Sequence, residues 1–227
     1  MARLAVLAFA ILAFLHAARA EPVDVAIVFA VDSSGSIDRH EFGLQREGYA
    51  RALTHPRVLG AIAGGPHRTI AIAIFEWSGP TLTSIVVPWR RIAGAADAEA
   101  VAEVLRSTPR SIYGGGTAVG SAIATAASMF SGSGFEGTRR VIDVSGDGTN
   151  NRGMRAEPAR DAAVAAGITI NGLPILGSET YLERYYRDSV IGGPDAFLIV
   201  AQSYDDFARA VLEKLIRELN ISALEGE

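Results

Sequence analysis

The run DVAIVFAVDSSGS, residues 24–36, decides the fold. Its first part, DVAIVFAV, is a continuous apolar stretch rich in valine and isoleucine, the pattern of a strand covered on both faces and therefore central in its sheet. The oxygen-rich residues that follow, from Asp32 on, fall where such sheets present their loops to ligands, outside the carboxyl ends of strands.

Working outward, Asp38 and Glu41 form a D-x-x-E capping pattern that opens HEFGLQREGYARAL and predicts a helix over 39–54. TIAIAIFEW (69–77) repeats the buried-strand pattern, and Pro88 within SIVVPW (84–89) marks an edge strand or a strand's end. Helices are expected at 97–105 and 118–130, the second rich in alanine for close packing on a sheet. RRVIDVSG (139–146) is another buried strand, reached through SGSGFEG (131–137), which reads as a connection. A helix near 157–166, a strand at 168–175, a helix around 180–190, a strand at 196–200 and a final helix from about Tyr204 to Asn220 complete the alternation, and the tail SALEGE is expected to fray. Strands alternating with helices specify a single α/β domain, a central, mostly parallel sheet with helices on both faces.

The 227 residues suit one such domain. Residues 1–20 carry Arg3, an apolar stretch from Leu4 to Leu15 and then Ala18-Arg19-Ala20, the pattern of a signal peptide cleaved after Ala20. The stretch is shorter than the ~20 residues that span a bilayer, so no stable membrane insertion is expected after cleavage. A domain over 21–227, exported to the periplasm or secreted, is the expectation. Without cysteine, neither a disulfide framework nor lipoprotein attachment is available. Cleavage leaves 19 basic and 25 acidic residues, a formal balance of −6, which disfavours nucleic acid as the main partner.

Three loops hold oxygen clusters: Asp32-Ser33-Ser34-Gly35-Ser36, Gly116-Thr117, and Gly146-Asp147-Gly148. An aspartate with hydroxyls two and four residues on, and a glycine that permits a tight turn, can aim Asp32, Ser34 and Ser36 at one point. Such hard oxygen ligands suit Mg²⁺, with Mn²⁺ or Ca²⁺ as alternatives. Two carboxylates only balance a divalent charge, so an open position would attract an outside carboxylate.

D-S-S-G-S, the threonine of a Gly-Gly-Thr loop and G-D-G after a buried strand, in this order, resemble the metal-ion-dependent adhesion site of von Willebrand factor A domains. The resemblance covers essentially residues 23–218. It implies a Rossmann-like von Willebrand A fold, Ser34 and Ser36 as direct ligands, Thr117 as a direct or water-mediated one, and Asp32 and Asp147 acting mainly through water. It also implies a partner protein whose Asp or Glu completes the metal's shell. Phe75-Glu76-Trp77-Ser78-Gly79 resembles a bacterial group of secreted von Willebrand A-like proteins of unknown function. Gly146 departs from the pattern, since many members carry Thr or Ser immediately before the aspartate.

Each motif also has a plainer reading. Asp32–Ser36 or Thr117 could cap helices, and Asp147-Gly148 with Thr149, Asn150 and Asn151 could be a turn. Trp77 reads as packing and Glu76 as a solvated charge. His40, His55 and His67 lack zinc spacing.

No enzyme is expected. A phosphatase using Asp32 as nucleophile would normally need an acid at position 34, where serine stands, and no lysine precedes Lys214. A G-x-S-x-G elbow and a P-loop G-K-[ST] are both missing. The rival that keeps the fold is a scaffold domain that binds partners without metal.

Overall fold

The computed structural model describes residues 20–177 and 179–224, with side chains described as far as residue 220. The expected signal segment and the last residues of the tail lie outside the described residues.

The opening run becomes the central strand, β1 (Glu21–Asp32), flanked in parallel by β2 (Ile70–Trp77) and β4 (Phe135–Gly146). Antiparallel β3 (Thr83–Ile92) lies outside β2, and parallel β5 (Thr169–Pro174) outside β4, so the order is β3-β2-β1-β4-β5. Alternation along β1 explains the unbroken apolar run: Val25, Ile27, Phe29 and Val31 enter one core, while Val28 and Ala30 enter the other. The first core is closed by α1 (Arg39–Leu53), α2 (Pro56–Gly64), α3 (Ala95–Ser107) and α7 (Phe207–Leu224). The second is closed by α4 (Val119–Met129), α5 (Ala156–Ala165) and the short α6 (Leu182–Tyr185). The α/β class with helices on both faces is as expected.

Four local expectations change. SGSGFEG is not only a connection, because Phe135, Glu136 and Gly137 already pair with Glu21, Pro22 and Val23. The helix α2 was not anticipated; Pro56 stands in its first turn and the His55 side chain caps it, accepting from the Arg57 N–H. The helix expected over 180–190 is α6 followed by a π-helical turn at Tyr186–Val190. Residues 196–200 follow β5 without forming a regular strand: Gly172 N–H donates to Phe197 O and Ile199 N–H to Gly172 O, but the Phe197 N–H is taken by the Asn171 side chain. That side-chain bond replaces a ladder bond at the start of the stretch, and Pro174, which has no N–H to give to residue 199, interrupts the pairing between the bridges at Gly172 and Ile175.

Candidate metal centre

The carboxyl ends of β1, β2 and β4 open onto one rim. Asp32 is the last residue of β1, fully buried, and its Oδ1 accepts from the Ser34 N–H at 2.8 Å, which folds the loop back on the strand end. The Ser34 and Ser36 hydroxyls lie 3.1 Å apart, and Ser36 Oγ donates to Asp147 Oδ1 at 3.0 Å. Residues 111 positions apart are thereby joined. Thr117 lines the same cleft as Ser36 and Asp147, and its hydroxyl lies against Gly148. The structure therefore brings all five residues, Asp32, Ser34, Ser36, Thr117 and Asp147, to one place.

The capping alternative does not describe them. Asp38 and Glu41 form the full capping box of α1, and α4 begins at Ala118 with no side-chain cap. Asn150 and Asn151 do more than turn the chain. Asn151 Oδ1 accepts from the Thr117 N–H at 2.9 Å and Asn150 Oδ1 from the Gly120 N–H at 3.1 Å, so the loop after β4 holds the threonine loop.

Among the described residues no basic side chain pairs with Asp32 or Asp147. Asp32 Oδ2 is buried and makes no hydrogen bond. Burial first, and the Asp147 carboxylate second, push the Asp32 pKa up to about 7. A buried carboxylate oxygen with nothing to bond is what a cation, or water bound to one, would satisfy. Among the described residues no three His, Cys, Asp or Glu side chains converge on one point, so a cation here would take serine and threonine oxygens as well.

Three supporting features were not legible as site residues. Arg110 donates to the Ser33, Ser34, Ile37 and Ile112 carbonyls at 2.7–3.0 Å, tying the loop after β1 to the segment that leads to Thr117. Its guanidinium lies over the rings of Phe42 and of the exposed Tyr113. Second, the Phe75–Gly79 motif builds the rim from below. Glu76 is a buried ion-pair partner of Arg46 at 2.6 Å rather than a solvated charge, and Trp77 packs in the core as read. Ser78 Oγ is placed to donate to Gly114 O or Gly116 O, and the Ala118 N–H donates to Ser78 O. Gly114, Gly115 and Gly116 all have positive φ, a backbone only glycine adopts freely, and they bring Thr117 down to the rim. Third, Tyr186 accounts for Gly146. A Cβ at 146 would lie 2.9 Å from Asp32 Oδ2 and 3.0 Å from the buried Tyr186 hydroxyl, so this tyrosine occupies the room that a larger residue would need.

Fold and rim together define a von Willebrand factor A-like domain. The chain belongs to the family described as protein of unknown function DUF1194, whose model matches residues 22–223. Among solved structures it is similar to proximal thread matrix protein 1 from the mussel byssus, solved with a zinc-occupied MIDAS motif. That match has a TM-score of 0.64, 17% identity, and covers 88% of this chain and 48% of that one. It is similar also to the pilus adhesin SpaC of Lactobacillus rhamnosus GG in its open conformation (TM-score 0.62, 18% identity, 88% and 30% covered). A von Willebrand factor type A protein from Catenulispora acidiphila gives a TM-score of 0.57 at 16% identity, with 88% and 43% covered. This chain spans less than half the length of each of these structures. Comparison with curated protein sequences finds no match.

Proposed function

We propose that this is an exported von Willebrand A-type binding domain that holds a divalent cation, Mg²⁺ foremost, and through it grips an Asp or Glu side chain of a partner protein. Ser34, Ser36 and Thr117 would be the direct ligands, and Asp32 and Asp147 would act mainly through water. The observation that carries this reading is the buried, unpartnered Asp32 Oδ2 behind a chain of hydroxyls that ends on Asp147. Two carboxylates leave a divalent ion neutralised but coordinatively open, which favours an incoming carboxylate. Export rests on the cleavage pattern ending at Ala20, immediately before β1 begins at Glu21. Among the described residues no helix is long and apolar enough to cross a membrane.

The burial of Asp32 argues against its use as a nucleophile, because a reacting carboxylate needs an open approach and this one has none. The proteins named above are an adhesin, a matrix protein and a von Willebrand A domain, which is in keeping with binding rather than catalysis.

Calorimetric titration of Mg²⁺, Mn²⁺ and Ca²⁺ into the chelator-treated protein, with Asp32→Ala as control, tests the reading. Saturable binding with a rise in Tm, both lost in Asp32→Ala, is the expected result. Failure of all three ions to bind would leave a metal-independent scaffold.

A further inference from the structure

Beside the candidate metal position the rim continues into a cleft of about 490 Å³. Ser36, Thr117 and Asp147 form its near wall. Glu41 from the first turn of α1, Glu179 from the segment after β5 and Tyr204 from the turn before α7 stand on its polar edge, with the neutral Thr149, Asn151 and Ser203 between them. Three carboxylates face this space and, among the described residues, no basic side chain lines it. Arg209, which follows closely on Tyr204 in the chain, is held by Asp206, Glu213 and the Val200 carbonyl.

Tyr204 supplies a separate sign. It is 8% exposed, and its buried hydroxyl has the Asp147 carboxylate beside it to donate to, which leaves the hydroxyl oxygen open as an acceptor. The hydroxyl thus belongs to a residue that shares the cleft wall with Asp147 and Glu41. One oxygen of Glu179 is buried and unpartnered. One oxygen of Glu41 accepts from the Asp38 N–H, which fixes that carboxylate at the cleft's edge. A buried Glu179 oxygen without a donor and a Tyr204 oxygen still open to accept, in a space that opens beside the metal position, are unsatisfied polar groups on a binding surface.

We propose that this cleft is a subsite for a basic side chain, lysine or arginine, carried on the same partner segment whose acid reaches the metal. The proposal rests on the metal reading above and adds what that reading lacks, a basis for selecting one acidic segment over another. A carboxylate bound to the cation brings its chain neighbours over the cleft. An ammonium or guanidinium there makes charge-assisted hydrogen bonds to Glu179 and Glu41 and can donate to the Tyr204 hydroxyl. A second acid in the same place is repelled by Glu41 and Glu179, whose charge the metal does not balance, so the cleft rejects uniformly acidic segments as well as welcoming mixed ones.

The test uses the Mg²⁺-loaded protein and capped glycine peptides with one aspartate, alone or with one lysine or arginine one to three positions away on either side. Binding is followed by calorimetry at low salt. At least one basic peptide should bind about tenfold tighter than the aspartate-only parent, the gain of one charge-assisted hydrogen bond. That gain should vanish in Glu179→Gln and shrink in Glu41→Gln, while Mg²⁺ affinity stays unchanged. Glutamine still serves the capping box, so the second variant keeps α1 intact. If the parent binds only with metal but no basic neighbour improves it, or if the improvement survives in Glu179→Gln, the subsite is wrong and the metal reading stands. If Mg²⁺ binds but neither the parent nor any basic peptide does, the carboxylate-docking reading falls and takes the subsite with it.

Discussion

Asp143, inside β4, and Asp147, just beyond its end, belong to two acid clusters that the chain treats differently. In the core, Lys214 Nζ lies 2.5 Å from Asp143 Oδ2 and 2.8 Å from Glu218 Oε1, and Asn171 donates to the same Glu218 oxygen. Asp143, Lys214 and Glu218 are all fully buried. Lys214 is the chain's single lysine. At the rim, Asp32 is equally buried, yet among the described residues no lysine, arginine or histidine pairs with it or with Asp147. Where the chain needs permanent neutralisation it supplies an ammonium; where it leaves acids without one, a mobile cation has a reason to enter.

The strongest way to break this comparison is Lys214→Met. Burial works to lower the Lys214 pKa, but Asp143 and Glu218 override it and hold it raised, so the lysine stays charged. Its removal leaves Asp143 and Glu218 buried without their ammonium, Glu218 keeping its bond from Asn171, and a loss of ~3–5 kcal/mol in urea unfolding is expected. A variant as stable as the parent would show that the core acids do not depend on their cation. The contrast between the clusters would then lose its meaning.

Asp32→Asn probes the other side. Asparagine can still accept from the Ser34 N–H, so the loop should keep its shape. Because the Asp32 pKa is raised to about 7, above an unfolded value of ~3.9, the folded metal-free protein holds a proton that the unfolded chain has released. Its stability should therefore fall as pH rises from about 4 to about 7, with the full penalty present above that window. Asp32→Asn should remove this slope and stabilise the metal-free protein at pH 8 by on the order of 1–4 kcal/mol, while abolishing Mg²⁺ binding. Thermal melts across pH 4–8, with chelator and with Mg²⁺, measure both effects. A metal-free parent as stable at pH 8 as at pH 5 would contradict the account of Asp32.

The two clusters were unequally legible in the sequence. The rim announces itself because its parts are local: each loop carries a short motif directly after a buried-strand pattern or before a helix, and the parallel direction of β1 and β4 puts the loops that follow them at one end of the sheet. The core triad joins β4 to a helix 71 residues later, and nothing in the periodicity of α7 distinguishes Lys214 from a solvated lysine. Arg110 was illegible for the same reason, since its partners are backbone carbonyls, which no side-chain pattern encodes. Glu76 was misread because strand ends meet solvent in general, whereas Arg46 of α1 covers this one. Residues 196–200 carried a strand's composition, but the Asn171 side-chain bond at their start and the missing N–H of Pro174 opposite them outweighed it.

A smaller effect is expected at the seam between rim and core. Gly146→Ala would press its Cβ onto Asp32 Oδ2 and the Tyr186 hydroxyl, and overpacking of this kind costs ~1–3 kcal/mol. Mg²⁺ affinity should fall with stability, because the displaced atom is the unpartnered Asp32 oxygen. Adding Tyr186→Phe removes one of the two obstacles, so the double variant should recover part of both losses. A strictly additive cycle would mean that Tyr186 and Gly146 do not share this space.

The finest test concerns a residue that touches no proposed ligand side chain. Arg110 spends its donors on four carbonyls around the first loop, and lysine in its place keeps the charge but cannot reproduce the fork. If the charge were what mattered, a cation so near the rim would oppose metal binding, and Arg110→Lys would leave affinity unchanged while Arg110→Met improved it. If the geometry matters, the Ser34 and Ser36 hydroxyls lose their fixed separation, and both variants should weaken Mg²⁺ binding about tenfold, ~1.4 kcal/mol. The metal-free Tm should move by only a few degrees. Lysine and methionine therefore separate an electrostatic role from a positioning one, with the metal titration rather than the melt as the deciding readout.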